Sequence, residues 1–574
     1  MVEAISPVRK YVPKGLDCAD WQQIEPVVVK LLDRELNSLT DFEQWLADNS
    51  ELQAVLSEYA SRRNIDFACH TDDKEIESAY MHYVEKIAPK LQPLQDQFHR
   101  KYLESPYRSQ LTDSKFELLT RDWQASVDLF RDENIPLQVE DAKLNKEYDQ
   151  TIGAMTVDYD GETYTLQQIG RFLEDTDRSV REETWALSSN RRLDDRGKID
   201  DIFEKMLQNR SKIAANADCE NYREYLWKSW CRFDYTPQHC HEFADAVEKS
   251  IVPLMKKLHQ ERANQLNIDV LRPWDSSVDP LGRSPLMPFD KSDVQRLVSG
   301  CKTIFSKIEV PLAADYDMLK MGRNLDLDSR IGKRAGGFQA SLPESKQPFI
   351  FMNAAGLQRD VETMLHEAGH AFHYIWAAES EPLVFLQHAP LEFCEVASMS
   401  MELFASPYLS EFYPNQADAD RARRKHLEGI LSVLPWIATI DQFQHWLYTN
   451  EGHSLEQRTQ AWRDILARFS TGLIDYTGFE EARDARWHAQ LHLFHVPFYY
   501  IEYGIAQLGA LQLYNIYRQD PATALSLYRK ALTLGGTRPL PELFAAAGIS
   551  FDFSLKTIQP LIDTLEQELA TLPA

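Results

Sequence analysis

The sequence lacks the features of a membrane-spanning or secreted chain. No apolar run is long enough to cross a bilayer, because residues 429–440 are too few and residues 496–514 are interrupted by Glu502 and two glutamines. Residues 1–14 contain no apolar stretch typical of a secretory signal. We therefore expect a cytoplasmic protein that does not bind membranes.

Cysteine and basic residues are also few. The seven cysteines are scattered and form no C-x-x-C pair, which argues against a disulfide framework and indicates a reducing compartment. There are 62 Lys and Arg residues against 88 Asp and Glu residues, so the formal net charge is -26. Such a chain repels phosphate groups, and we expect neither nucleic acid nor an anionic membrane as a partner.

Most of the sequence shows patterns typical of helices. A chain of 574 residues exceeds what one hydrophobic core organises, so we expect two or more lobes with a cleft between them. We predict an N-terminal helical region over residues 1–180 and a second region over residues 181–574, which contains the motifs described below. Around residues 155–166, β-forming residues alternate on both sides of Asp160-Gly161, which is typical of a type I′ hairpin. The predicted fold class is mostly α with a small β-sheet.

One motif carries chemistry. The sequence His366-Glu367-Ala368-Gly369-His370 follows the H-E-x-x-H pattern. Apolar spacing over residues 361–377 predicts a helix with Asp360 as its N-cap, and on a helix both imidazoles can reach one metal ion. Glu367 is then in the position of the general base. Gly369 is unfavourable inside a helix, which predicts that another backbone or a ligand passes close by.

A predicted strand precedes this helix. Residues 330–338 form a basic, glycine-rich loop, and residues 348–353, Pro-Phe-Ile-Phe-Met-Asn, have the composition of a short strand. An extended peptide can pair with an exposed strand edge and be held across the metal. An ordinary core strand is an equally acceptable interpretation, and the two are compatible.

Catalytic zinc needs a third protein ligand and an open fourth position. A helix is predicted over residues 391–404, and the candidates near it are His388, Glu392 and Glu395. His388 lies in the turn, and Glu392 lies in the first helical turn, where acids are common. Glu395 is deeper and has apolar neighbours, and a carboxylate there needs a cation. The predicted ligands of a single zinc ion are His366, His370 and Glu395.

Two further groups of histidines have structural interpretations. His239-Cys240-His241 looks like a metal cluster, but adjacent residues on a helix point in different directions, so we interpret it as an exposed helical segment. His488, His492 and His495 lack a nearby acidic ligand for a second metal.

The motifs resemble those of the thimet oligopeptidase and oligoendopeptidase F family of zinc metallopeptidases. The similar segments are GKRAGGF at 332–338, PFIFMN at 348–353, DVETMLHEAGHAFH at 360–373 and EFCEVAS at 392–398. In that family the third ligand is a glutamate in an E-x-x-S setting, 29 residues after the first histidine, which is the position of Glu395. Gln339 departs from the pattern, since many members have a cysteine there.

The resemblance extends to the segment 488–514, in which residues 492–503, HLFHVPFYYIEY, look like the H-F-x-x-x-P-F-Y-x-x-x-Y signature of the oligoendopeptidase F branch. A tetrahedral intermediate needs hydrogen-bond donors besides the metal, and phenols and imidazoles can supply them. Our candidates are His492, Tyr499 and Tyr503, and Tyr500 and His495 are the alternatives if the register shifts by one residue.

The resemblance implies two helical lobes around a deep substrate channel, a gluzincin-type zinc site, and an oligoendopeptidase that cleaves short unstructured peptides. One alternative is a metallocarboxypeptidase, which needs a cation for the terminal carboxylate. Its candidates are Arg330, Lys333 and Arg334. The other alternative is a catalytically silent peptide-binding protein, against which the presence of Glu367 argues. The sequence does not indicate an oligomeric state.

Overall fold

The computed structural model describes residues 9–573 and is mostly helical, as expected from the sequence. The first helices are α1 (Trp21–Leu32), α2 (Leu39–Cys69), α3 (Lys74–His82), α4 (Ala88–Glu104), α5 (Lys115–Leu129) and α6 (Asn134–Gly153). After a hairpin follow α7 (Arg178–Asp194), α8 (Arg196–Asn216), α9 (Tyr222–Ser229), α10 (Pro237–Leu266), α11 (Val294–Ile308) and α12 (Val310–Met321). A small sheet comes next. The remaining helices are α13 (Gln358–Ser380), α14 (Leu391–Ala405), α15 (Gln416–Thr449), α16 (Leu455–Phe469), α17 (Glu480–Asp484), α18 (Leu491–His495), α19 (Tyr500–Gln519), α20 (Pro521–Leu532), α21 (Leu540–Ala546) and α22 (Leu555–Thr571). Within the described residues, no helix is both long and apolar enough to cross a membrane.

The buried apolar side chains form two main cores. Helices α1, α2, α4 and α5 enclose the first, which includes Trp45, Phe98 and Tyr102. The second core is larger and runs from Leu129 to Leu572. The two cores account for the expected helical lobes, whereas the domain boundary near residue 180 stays a prediction. All seven cysteines are free thiols.

The predicted hairpin is confirmed. Strands β1 (Thr156–Tyr159) and β2 (Glu162–Thr165) pair antiparallel. The connecting Asp160 and Gly161 have φ values of 50° and 79°. Positive φ at both central residues is what a type I′ turn requires.

A three-stranded sheet lies next to α13. It consists of β3 (Leu325–Asp328), β4 (Phe338–Leu342) and β5 (Gln347–Ala354) in the order β3-β5-β4. The strand predicted at 348–353 is therefore present, but the idea that it offers an open edge is wrong, because β5 is the central strand. β4 lies at the edge of the sheet instead. The sequence analysis did not predict β4, because it follows directly after a glycine-rich run.

Helix α13 begins differently from the prediction. Its N-cap is Leu357, so the assignment of Asp360 as N-cap is wrong. Asp360 is the third helical residue, and its Oδ2 accepts hydrogen bonds from the backbone N–H groups of Ala355 and Leu357 at 2.7 and 2.8 Å. A carboxylate at this position reaches back over the first turn and satisfies donors that have no partner within the helix.

Candidate active site

Helices α13 and α14 cross at Gly369. A Cβ atom built on Gly369 would lie 2.6 Å from Cα of Ser398 and 2.8 Å from the carbonyl oxygen of Ala397. The prediction that another backbone passes close to this glycine is confirmed. The close approach brings the inner face of α14, with Glu395, beside the two histidines of α13.

Three side chains converge at this crossing. Oε2 of Glu395 lies 3.2 Å from Nε2 of His366 and 3.4 Å from Nε2 of His370. The two Nε2 atoms are 3.2 Å apart, and all three ligand atoms lie within 4.8 Å of one another. Two imidazole nitrogens and a buried carboxylate oxygen at these separations fit a single metal ion.

The site is supported by two residues that the sequence analysis did not identify, Glu402 and His426. Nδ1 of His366 donates to Oε1 of Glu402 at 2.7 Å, and Nε2 of His426 lies 3.0 Å from the other oxygen of Glu402. A proton on Nδ1 leaves the Nε2 lone pair free for a metal. Glu402 follows Glu395 by seven residues, or two helical turns, and this spacing is a signal that sequence analysis had available.

Glu367 lies in the same cavity as the three candidate ligands. The cavity has a volume of about 340 Å³. Burial raises the pKa of Glu367, and its Oε2 atom is buried without a hydrogen-bond partner among residues 9–573. The carboxylate is therefore free to exchange a proton with a molecule bound in the cavity.

The phenols of Tyr499 and Tyr503 and the imidazole of His492 lie close together. Tyr499 and Tyr503 line the cavity, whereas His492 does not, and its Nε2 lies 3.2 Å from the phenol oxygen of Tyr503. The hydroxyl of Tyr499 donates to Oε1 of Glu395 at 2.6 Å. Burial, followed by the charge of Glu395, raises the pKa of both tyrosines well above its usual value. Burial lowers the pKa of His492 to about 4, so that at neutral pH the phenols are donors and the imidazole is uncharged.

His488 and both alternative oxyanion donors of this segment, His495 and Tyr500, have other contacts. Nε2 of His495 lies 2.9 Å from Oδ1 of Asp149, and Nε2 of His488 lies 2.9 Å from Oδ1 of Asp200. The three histidines of this segment therefore do not converge on one point. The ring of Tyr500 contacts that of His492 at a centroid distance of 4.9 Å.

Comparison with known proteins assigns the family. The model of peptidase family M3 matches residues 171–559, and that of the peptidase M3 N-terminal domain matches residues 17–130. The chain belongs to peptidase family M3. The resemblance inferred from the sequence motifs is confirmed, and membership of this metallopeptidase family implies a metal cofactor.

Several relatives of this M3 peptidase are known. An oligoendopeptidase F homolog from Borreliella burgdorferi is 22% identical over 406 residues, covering 66% of this chain and 62% of the relative. Oligopeptidase PepF from Bacillus subtilis is 22% identical over 274 residues, covering 45% of this chain and 40% of the relative. The matches thus span less than two thirds of these curated relatives. A solved structure of PZ peptidase A with an inhibitor superimposes with a TM-score of 0.91 at 25% identity, covering 98% of this chain and 99% of that chain.

The basic side chains of the loop at residues 330–338 do not line the cavity. Arg330 Nη1 and Lys333 Nζ each lie 2.7 Å from Oδ1 of Asp326. Nη1 of Arg334 lies 3.3 Å from Oδ1 of Asn64. None of the three basic residues lines the cavity. They are therefore not placed to bind the terminal carboxylate of a substrate at this site.

A buried arginine positions the tyrosine segment. Phe498 is fully buried and has a φ of 64°, which is uncommon for a residue other than glycine. Arg232 donates to the carbonyl oxygen of Phe498 at 2.7 Å and also pairs with Glu502. Because Phe498 immediately precedes Tyr499, these bonds fix the direction from which the first phenol enters the cavity. No motif or spacing in the sequence indicates this role of Arg232.

Proposed function

We propose that this M3 peptidase is a zinc-dependent oligoendopeptidase that hydrolyses internal bonds of short, unstructured peptides. The observation that carries the proposal is the convergence of two imidazoles and two carboxylates in one cavity. His366, His370 and Glu395 would hold the ion, since two nitrogens and one oxygen are a donor set that suits zinc. The carboxylate of Glu367 lies in the same cavity and would act as the base.

The chemistry follows from these positions. Zinc held there would polarise the scissile carbonyl and lower the pKa of water from about 15.7 to about 7. Glu367 takes the proton of the attacking water and passes it to the leaving amine. Burial raises the pKa of Glu367, which improves its ability to hold that proton. Tyr503 remains protonated and donates a hydrogen bond to the developing oxyanion. Tyr499 also remains protonated, but its hydroxyl donates to Oε1 of Glu395 and would have to turn away from that oxygen to do the same.

The edge strand supports cleavage at internal bonds. Residues of and before β4, including Gly337, Phe338, Gln339 and Ser341, line the cavity. An extended peptide can add to a strand edge through backbone hydrogen bonds, independently of its sequence. Such a peptide would run past the ligands with chain on both sides of the cut, which is the arrangement that an endopeptidase needs.

The carboxypeptidase alternative needs a cation that binds the free carboxylate of the substrate. Arg330, Lys333 and Arg334 are engaged elsewhere, with Asp326 and Asn64. We therefore expect a C-terminally amidated peptide to be cut as well as its free acid. Loss of single residues from the free acid alone would favour the carboxypeptidase.

The proposed location is the cytoplasm. It is supported by the seven cysteines, which are all free thiols in the structure, because disulfides are rare in a reducing compartment.

The test of the proposed function is cleavage of an internally quenched, end-blocked peptide at matched bound zinc. We expect Glu367→Gln to retain zinc but to lose at least about a thousandfold in rate, or roughly 4 kcal/mol of barrier. Glu379→Gln is the matched control, because Glu379 is exposed near the end of the same helix and its loss should leave the rate unchanged. A wild-type protein that binds zinc and the peptide without cutting it would overturn the proposal.

A further inference from the structure

We propose that the protein contains a second, structural metal site, formed by Cys240, Asp441 and His445. Cys240 lies on α10, and the other two lie four residues apart on one face of α15. One ligand atom from each lies within 4.8 Å of the others. The three residues are 1%, 0% and 3% exposed, and none of them lines the catalytic cavity.

The histidines beside Cys240 do not take part. Nδ1 of His239 accepts a hydrogen bond from the backbone N–H of Thr236 at 3.0 Å, and Nδ1 of His241 lies 2.8 Å from Oε1 of Gln442. The sequence-based interpretation is therefore correct that the three neighbours point in different directions, but the interpretation of the whole segment as exposed is wrong, because Cys240 is buried. What the spacing could not show is that the thiol faces an aspartate and a histidine about 200 residues later in the chain.

Two buried polar atoms of the Cys240, Asp441 and His445 cluster lack a hydrogen-bond partner. Oδ1 of Asp441 and Nε2 of His445 are both buried without a hydrogen-bond partner in the described part of the chain. Oδ2 of Asp441 lies 3.3 Å from that nitrogen. A buried carboxylate oxygen and ring nitrogen without partners cost free energy. A cation between them would satisfy both atoms, and the charges of a thiolate and a carboxylate would offset those of a divalent ion.

The donor set indicates which metal binds. One sulfur, one nitrogen and one oxygen suit zinc or a similar transition metal, whereas calcium and magnesium prefer oxygen ligands alone. Burial of all three residues indicates a site that is loaded as the chain folds, because a preformed site rarely exists in the unfolded chain. An ion there would join α10 to α15, the helix that also carries His426.

One contact competes with metal binding. Nη1 of Arg223 lies 3.4 Å from Nδ1 of His445. Because a guanidinium only donates, this contact requires the imidazole proton to be on Nε2. Binding of a metal through Nε2 would place the proton on Nδ1, so the partly exposed Arg223 side chain would move away from the ring. The metal-free and metal-bound proteins therefore differ in this contact.

Metal content of the purified full-length protein tests the site directly. After equilibration with buffered zinc, we expect two zinc ions per chain in the wild type and one in Cys240→Ser. Cys301→Ser is the matched control and should retain two, because Cys301 is a fully buried thiol that belongs to neither group. A single ion in the wild type, or two in Cys240→Ser, would overturn the proposal.

Cobalt spectroscopy provides a second readout that does not depend on the folding of the Cys240 variant. Cys394 lines the catalytic cavity, so the measurement is made in a Cys394→Ser background. We expect the cobalt-loaded protein to show a near-ultraviolet thiolate-to-cobalt band that persists when Glu395→Gln is added and disappears when Asp441→Asn is added. Absence of the band from the Cys394→Ser protein would also overturn the proposal. Neither readout uses peptidase activity.

Discussion

Glu402 joins His366 to His426 through its two carboxylate oxygens. Nδ1 of His366 donates to one oxygen at 2.7 Å, and Nε2 of His426 lies 3.0 Å from the other. Burial alone would raise the pKa of Glu402, but its bonds to the two histidines outweigh burial and lower it to about 2. The carboxylate is thus ionised at neutral pH, and it fixes the ring of His366 with Nε2 directed towards His370 and Glu395.

We expect Glu402→Gln to weaken metal binding by about 10- to 100-fold, because the amide is a poorer acceptor for the imidazole N–H. Competition with a chelator measures the affinity. At saturating zinc the rate of peptide cleavage should change much less than the affinity. Glu428→Gln on α15 is the control and should leave the affinity unchanged. Equal affinities of Glu402→Gln and wild type would show that the ring of His366 is held by other contacts.

Gly369→Ala should destabilise the protein by about 1–3 kcal/mol, because the added methyl group would overlap with backbone atoms of Ala397 and Ser398 that cannot rotate away. Gly429→Ala is the matched control, since it is also a helical glycine but has no atom within 4 Å of the added Cβ. This control should gain up to about 1 kcal/mol from helix propensity. Denaturant unfolding of both variants measures the difference. Equal stabilities would mean that the helices can move apart at little cost.

Tyr503→Phe should lower kcat by about 100- to 1,000-fold, roughly 3–4 kcal/mol, with little change in KM, if its hydroxyl stabilises the oxyanion only in the transition state. Tyr500→Phe tests the register, because its ring also contacts His492 but the residue does not line the cavity. We expect Tyr500→Phe to remain within a few-fold of wild type. Steady-state kinetics on the quenched peptide, with bound zinc measured in parallel, decides which of Tyr503 and Tyr500 is the oxyanion donor. A larger loss of kcat in Tyr500→Phe than in Tyr503→Phe would assign the role of oxyanion donor to Tyr500.

Local spacing explains why much of the site could be predicted. His366 and His370 are four residues apart, so a helix alone places them together. The unfavourable glycine at position 369 predicted a close crossing because few other causes retain glycine in a helix. The type I′ turn at Asp160-Gly161 could be predicted for the same reason, because it depends only on neighbouring residues. These predictions required only the geometry of one element.

Several features that were missed depend on contacts between separate elements of the chain. β4 has five residues and follows a glycine-rich run, and only its pairing with β5 makes it a strand. Arg232 bonds to Phe498 and Glu502, more than 260 residues away along the chain. Periodicity carries no information about such pairs, because they are set by how complete helices pack.

The last prediction concerns pH and His259, which lies on α10 with Nδ1 2.8 Å from Oγ1 of Thr471. Burial lowers the pKa of His259 from 6.5 to about 4. Between these values the unfolded chain binds a proton that the folded chain does not, so the free energy of unfolding falls as the pH drops from 6.5 to about 4. The contribution of this residue over the window is up to about 3 kcal/mol, at 1.36 kcal/mol per pKa unit.

His259→Gln removes this titration but retains a polar group near Thr471. Other histidines titrate in both proteins, so their contributions cancel when the two are compared. We therefore expect any stability advantage of the wild type at pH 7 to shrink by up to about 3 kcal/mol at pH 4. Denaturant unfolding at a series of pH values measures the difference. A difference between wild type and His259→Gln that does not change with pH would show that His259 titrates alike in the folded and unfolded chains.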